Sequence, residues 1–304
     1  MHRPQEELPL AQEELPLAQE ELPLTQVEQM VDYAMAHGVN YYDTAWGYHG
    51  GNSELSLGKA LAKHPRDKFY LADKFPGYDL SNMPKVEEIF EKQLQKCGVE
   101  YFDFYLFHNV CEMNIDAYLD DETYGIFSYL MEQKKNGRIR HLGFSCHGAM
   151  PVLKRFLEAY GAHMEFCQLQ LNYVDWTFQG CKEKVELLKE YNIPVWVMEP
   201  LRGGRLCALP QAAQAALAAL RPHETPTAWA FRFIQSIPQV TVTLSGMSNF
   251  QQMKENIDTF GTEVAQQISM ATFLYDVVFL LLMYVILCFI TGGFKKRDAA
   301  TFKK

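Results

Sequence analysis

Four side chains able to do proton chemistry stand in the first part of the chain: Asp43, Tyr48, Lys74 and His108. Asp43 and Tyr48 belong to Tyr41-Tyr42-Asp43-Thr44-Ala45-Trp46-Gly47-Tyr48, a strand-like run that ends in polar residues a short turn apart. Lys74 closes Tyr70-Leu71-Ala72-Asp73-Lys74, and His108 closes Phe104-Tyr105-Leu106-Phe107-His108. Taken alone, Asp43 reads equally well as a cap and Tyr48 as a packing aromatic. Three successive apolar runs that deliver Asp, Lys and His are hard to assign to capping. Free tyrosine titrates near ~10 and is a poor acid at neutral pH. A lysine ammonium beside it favours the phenolate and lowers that value, while Asp43 holds Lys74 charged and oriented. His108 can donate to a carbonyl oxygen in the same small pocket. Such a set suits protonation of a carbonyl oxygen while a hydride arrives at its carbon. No side chain supplies a hydride, so a cofactor is required.

The elements that must position these groups alternate along the chain. Strand cores are expected near 39–43, 69–74, 102–107, 139–145, 165–171, 194–199 and 240–245. Helices are expected near 52–63, 84–97, 123–136, 150–160, 181–191, 226–236 and 249–260, preceded by one that starts at Thr25. Thr25-Gln26-Val27-Glu28 has the form of a capping box. The strands are continuous apolar runs, the mark of a parallel sheet covered on both faces. An open doubly wound sheet would share this alternation, but seven βα repeats fit a (β/α)8 barrel better. In a parallel barrel all strand carboxyl ends face one mouth. Those ends carry Asp43, Lys74, His108, Ser145, Gln168 with Asn172, Glu199 and Ser245. Trp46, Tyr78, Tyr173 and Trp176 lie just past strand ends, as mouth-lining or as packing residues.

Composition narrows the class. The net charge of −9, with no basic run in the globular part, argues against a nucleic-acid partner. Seven cysteines show no C-x-x-C pair and no metal-ligand spacing. That pattern suggests reduced thiols, a cytoplasmic catalytic part and no metal site. Residues 1–30 contain no apolar run of the secretory kind.

At this point the residues resemble the aldo-keto reductase family, over about Val27 to Ile257. Asp43-Thr44-Ala45 with Tyr48, then Lys74 and His108, match that family's tetrad in identity and order. Further matches are Gly143-Phe144-Ser145, Gln168 with Asn172, Met198 to Gly204, and Leu244 to Asn249 followed by Glu255-Asn256. The wording is most like the microbial subgroup that carries an iron–sulfur tail. The resemblance implies an NADP- or NAD-dependent enzyme that reduces an aldehyde, ketone or quinone with Tyr48 as general acid. It also implies that Ser145 and Gln168 hold the nicotinamide amide, and that Pro200 and Leu201 flank the pyrophosphate. Ser245, Gly246, Met247 and Ser248, with Asn256, would line the adenosine end.

Three departures qualify that resemblance. Where the family's first strand should stand, residues 1–24 hold only a proline-containing repeat, Glu6 to Gln12 recurring twice, expected to be disordered. Positions 246 and 252 are Gly246 and Gln252, where NADP-binding relatives commonly place Lys and Arg. The cysteine-rich tail is absent, so no iron–sulfur cluster is expected. In its place the apolar run 273–291 reads as a transmembrane or membrane-anchor helix, followed by a basic tail, 292–304. The expected organisation is thus a reductase-like barrel over 25–262, lacking one strand and membrane-anchored at its end. The rival reading is a cofactor-binding regulatory protein or degenerate paralogue with little turnover.

Overall fold

The computed structural model describes residues 22–261. Seven strands run in it: β1 (Tyr41–Asp43), β2 (Tyr70–Phe75), β3 (Phe102–Val110), β4 (Ile139–Cys146), β5 (Cys167–Gln170), β6 (Val195–Met198) and β7 (Val240–Thr243). They form one sheet in chain order, and every neighbouring pair is parallel. The helices are α1 (Leu24–Ala36), α2 (Ser53–Leu61), α3 (Val86–Cys97), α4 (Ile115–Leu119), α5 (Asp121–Tyr124) and α6 (Ile126–Lys135). They continue with α7 (Met150–Tyr160), α8 (Asp175–Phe178), α9 (Cys181–Glu190), α10 (Gln211–Leu220), α11 (Pro226–Gln235) and α12 (Phe250–Gly261).

The period of two along a strand divides the core into two separate clusters. Tyr42, Leu71, Phe75, Tyr105, Phe107, Phe144, Leu169 and Val197 face the helices and join the large outer cluster. Their alternates, Ala72, Leu106, Phe166 and Trp196 with Tyr41, Phe104 and Val242, meet inside the bore. The bore shows that the sheet curls. Tyr41 on β1 reaches Trp196 on β6 with ring centroids 4.9 Å apart, whereas five strand spacings in a flat sheet would separate them by about 24 Å. Phe166 stacks on Trp196 at 3.8 Å. This aromatic floor requires Gly143: a Cβ there would lie 2.5 Å from the Phe166 carbonyl oxygen.

Closure is uneven. The sheet ends at β1 and β7, which do not pair with each other. The helical layer is continuous over that seam: Met30 and Ala34 of α1 pack with Met253 of α12, and Tyr33 meets Phe250 edge-on at 4.8 Å. The architecture is therefore α/β and of (β/α)8 type, with the first strand missing among the described residues.

Helix ends follow local chemistry. Gly98 closes α3 in the left-handed region at φ 67°, where a residue without Cβ carries no steric cost. Thr225 caps α11 by accepting the Ala228 N–H at 3.1 Å, with Pro226 in the first turn. The expected capping box does not form. The first helix starts at Leu24 with no side-chain cap, because Pro23 holds φ at −54° and its carbonyl takes the Gln26 and Val27 N–H groups at 2.8 and 3.1 Å.

The membrane-anchored reading is corrected. Among the described residues no helix is long and apolar enough to cross a membrane. The longest, α1, has 13 residues and spans about 20 Å against a ~30 Å hydrocarbon core. The run 273–291 and the tail 292–304 lie outside the described residues, as do the repeats.

Candidate active site

The same alternation that fills the bore lifts a polar layer above it. Asp43 lies two residues beyond Tyr41, Lys74 two beyond Ala72, His108 two beyond Leu106, and Gln168 two beyond Phe166. Lys74 is the hub. Its ammonium pairs with Asp43 Oδ1 and donates to the Thr44 carbonyl at 2.6 Å, with its side chain 1% exposed. It stands 5.1 Å from the centroid of the Tyr48 ring. The Tyr48 and His108 rings meet edge-on at 5.9 Å, and Tyr78 approaches His108 from another side at 5.2 Å. Tyr48 is 41% exposed, whereas Lys74 and His108 are buried.

Charge decides the protonation states. The Lys74 ammonium is the largest influence on the Tyr48 phenol and pulls it down. Burial and the carboxylates of Asp43 and Asp73 outweigh that pull, and the phenol ends above its ordinary value. The expectation of a lowered Tyr48 is thus corrected: Lys74 acts as foreseen, but the acids needed to hold it reverse the net effect. Desolvation pulls Lys74 down, yet Asp43 and the neighbouring oxygens raise it above its ordinary value, so it stays charged. His108 is driven well below the ordinary histidine range, first by burial and then by Lys74 and His147. It is therefore a neutral imidazole with one N–H to donate.

The residues foreseen for the cofactor occupy the other half of the mouth. Ser145 and Gln168 are direct partners across β4 and β5. Ser145 Oγ accepts the Asn109 N–H at 2.7 Å. Gln168 is buried, and its Oε1 has no hydrogen-bond donor. Asn172 is saturated, with its amide bound to Asp175 and to the Glu199 carbonyl and its oxygen to the Val174 and Asp175 N–H groups. Pro200 and Leu201 open a loop in which Glu199 and Arg202 hold positive φ, 56° and 50°. After β7, Asn256 donates to Ser245 Oγ at 3.1 Å, and Gln252 Oε1 takes the N–H and hydroxyl of Ser248. Met247 packs against the α1–α12 contact. Gly246 has open space where a side chain would stand. Arg202 is engaged with Asp175 at 3.4 Å and over the Phe178 ring.

The family model for the aldo/keto reductases matches residues 13–272. The chain belongs to the aldo/keto reductase family. A soybean (Glycine max) relative named probable aldo-keto reductase 1 is 29% identical over 58% of this chain and 49% of its own length. An NADH-specific methylglyoxal reductase of Escherichia coli is 29% identical over 56% of this chain and 54% of itself. The chain thus spans about half the length of these two relatives. An aldo-keto reductase of a Mycobacterium species (strain KMS) is 29% identical over 79% of this chain and 80% of its own. Among solved structures, an aldo-keto reductase from Bacillus halodurans in its holo form matches with a TM-score of 0.69 at 22% identity, covering 84% of this chain and 88% of that one. An aldo/keto reductase from Klebsiella pneumoniae, in complex with NADP and acetate, matches with a TM-score of 0.64 at 18% identity, covering 82% and 84%.

In this member of the family several contributors to the site were not foreseen. Asn109 sits at φ 58° where the β3–β4 register shifts between Phe107 and Val110. That bulge turns its N–H onto Ser145; only the tolerance of asparagine for the left-handed region hints at it. Gly47 leaves room for the Tyr78 hydroxyl, which a side chain at that position would meet. Behind Lys74 the buried Gln93 donates to Asp73 Oδ1 and to the Lys74 carbonyl; Asp73 lies next to the lysine in sequence, but nothing there brings Gln93 to it. Trp176, by contrast, is buried against Phe233 at 5.7 Å and is a packing residue.

Proposed function

We propose that this chain reduces a small carbonyl compound with a nicotinamide cofactor, NADP or NAD, Tyr48 donating the proton to the carbonyl oxygen. The observation that carries this reading is the buried Lys74 ammonium, held by Asp43 and the Thr44 carbonyl beneath the Tyr48 ring and beside neutral His108. A phenol kept above its ordinary value remains protonated at neutral pH and has a proton to give. Lys74 then steadies the phenolate that is left, Asp43 holds Lys74 in place, and the His108 N–H orients the carbonyl oxygen. The cofactor, when bound, supplies the hydride.

The residues present suit such a cofactor. The buried, donorless Gln168 Oε1 is an acceptor that a carboxamide N–H would satisfy, and Ser145 lies beside it. Pro200 and Leu201 would flank the pyrophosphate, and Ser245, Gly246, Met247 and Ser248 with Asn256 would line the adenosine end. Gly246 and Gln252 carry no charge, which favours weak discrimination between the two cofactors. The names of the relatives support the assignment: one is called an NADH-specific methylglyoxal reductase, and one structural neighbour is in complex with NADP. We assign residues 25–262 to this one catalytic unit.

The test is steady-state oxidation of NADPH and of NADH against a panel of aldehydes, ketones and quinones. Turnover of at least one class is expected. Tight cofactor binding with no turnover of any of them would replace the enzyme with a cofactor-binding regulatory protein.

A further inference from the structure

His108 stands where the sheet stops holding its own backbone. The β2–β3 register ends with Phe75 opposite Phe107, and the β3–β4 register passes from Phe107 to Val110. His108 and Asn109 therefore have no register partner on β2 or on β4. The ring of His108 is no better held by hydrogen bonds. A histidine ring is ordinarily oriented by the bond that its second nitrogen makes, yet His108 Nδ1 is buried without a partner. The rings of Tyr48 and Tyr78 flank it edge-on at 5.9 and 5.2 Å.

Two buried side chains from the segment after β3 supply what the ladder leaves out. Tyr118 of α4 sets its ring beside those of Phe107 and Phe75, at 5.4 and 6.3 Å. Its hydroxyl donates to the His108 carbonyl at 2.8 Å, with the Phe75 carbonyl at 3.3 Å. A hydroxyl has one proton, so the shorter contact takes most of it. Asn114, one turn earlier, donates from its amide to the Asn109 carbonyl at 2.8 Å and to the Gly77 carbonyl at 3.1 Å. Its oxygen accepts the Cys111 N–H at 2.9 Å. Gly77 makes the approach possible: a Cβ there would lie 2.2 Å from the Tyr118 hydroxyl oxygen. The chain just past Lys74, which leads into Tyr78, is thus tied to the chain at His108 by two side chains of one helical turn.

We infer that Tyr118 and Asn114 form a clamp that positions His108, and with it Tyr78, against Lys74 and Tyr48. Both are positioning residues: buried beneath the mouth, they act through the backbone of His108, Asn109 and Gly77. Burial holds the Tyr118 phenol well above its ordinary value, so the hydroxyl stays a donor. The Tyr160 hydroxyl on α7 in turn donates to the Tyr118 carbonyl at 3.1 Å and fixes the clamp from behind. The effect of the clamp on turnover rests on the reductase reading; its effect on His108 does not.

The test is Tyr118→Phe in the full chain, which keeps the ring beside Phe75 and Phe107 and deletes the hydroxyl. Isotope-labelled histidine gives a readout free of activity, the His108 ring resonances, identified by their loss in His108→Asn. Wild type should show one set, and Tyr118→Phe a doubled or broadened one. The second readout is kcat per cofactor-binding site, the sites being counted by titration. It should fall about 10-fold, because small misplacements of an orienting group are costly, while cofactor affinity stays as in wild type. A merely structural bond would lower the melting temperature and the number of sites but leave kcat per site unchanged. Unaltered His108 resonances in folded Tyr118→Phe would overturn the inference, as would a wild-type His108 ring that already exchanges between two orientations. Where Tyr118→Phe does not fold, Asn114→Ala takes its place in the resonance measurement with the same outcomes. A wild type without turnover whose His108 resonances still change in Tyr118→Phe would keep the clamp and remove the reductase.

Discussion

The two halves of the mouth are built to different standards of completeness. On the β1–β3 side, Lys74, Asp43, Thr44, Asp73 and Gln93 satisfy one another within the protein, and His108 alone of the four foreseen catalytic residues keeps a buried atom, Nδ1, without a partner. On the β4–β7 side, Gln168 keeps an acceptor without a donor, the loop after β6 is held at positive φ, and the β7 residues are partly buried at best. The first half is assembled by folding alone, at the cost of burying charge; the second keeps hydrogen-bonding capacity in reserve. Substitutions in the first half should therefore act on the ligand-free fold, and substitutions in the second chiefly on binding.

The largest effect should come from Lys74→Met. Removing one partner of a buried ion pair costs about 3–5 kcal/mol, so chemical denaturation of the cofactor-free chain should show a loss of that order and activity should vanish. A cofactor-free stability equal to wild type would erase the contrast between the halves. Next is Tyr48→Phe, which keeps the ring contacts with Lys74 and His108 and deletes the proposed proton donor. Its kcat should fall by about 100-fold or more, with cofactor affinity largely kept. In wild type, because Tyr48 lies above the ordinary phenol value, the acid form persists across neutral pH, and kcat/KM should decline only on the alkaline side.

Gln168→Leu probes the other half. Replacing a buried acceptor that has no donor removes a desolvation penalty of about 1–3 kcal/mol. The ligand-free chain should be no less stable than wild type, while cofactor affinity measured by fluorescence quenching should weaken about 10-fold. A destabilised apo protein with unchanged affinity would mean that Gln168 belongs to the scaffold. The smallest effect is expected from Gly246→Lys, which enters open space. One charge-assisted contact to a 2′-phosphate is worth about 1.5 kcal/mol or more, so the NADPH over NADH affinity ratio should rise about 10-fold. An unchanged ratio would place the adenosine end elsewhere.

Much of this was legible in the residues. The seven strands and the longer helices lie where apolar runs and glycine stops place them, because a strand covered on both faces must be apolar throughout. That Asp43, Tyr48, Lys74 and His108 come together could be read from their identity at or just past strand ends. Other features could not be read. The net rise of Tyr48 is a balance of opposing charges, whose sign depends on distances and burial. The bulge at Asn109 arises from a register shift between two strands. Pro23 in place of Thr25 at the start of α1 is a contest between two local signals that sequence does not rank.

By itself the sequence determined the alternation of strand and helix, the order of Asp43, Tyr48, Lys74 and His108, and a mouth at the strand carboxyl ends, since periodicity and polarity are local properties. Tertiary structure alone decided that the sheet curls until Tyr41 meets Trp196, and that α1 and α12 meet over a seam where β1 and β7 do not pair. It alone brought Gln93 of α3 onto Asp73 of β2, because polar pairing and closure depend on which distant residues the fold brings within a few ångströms.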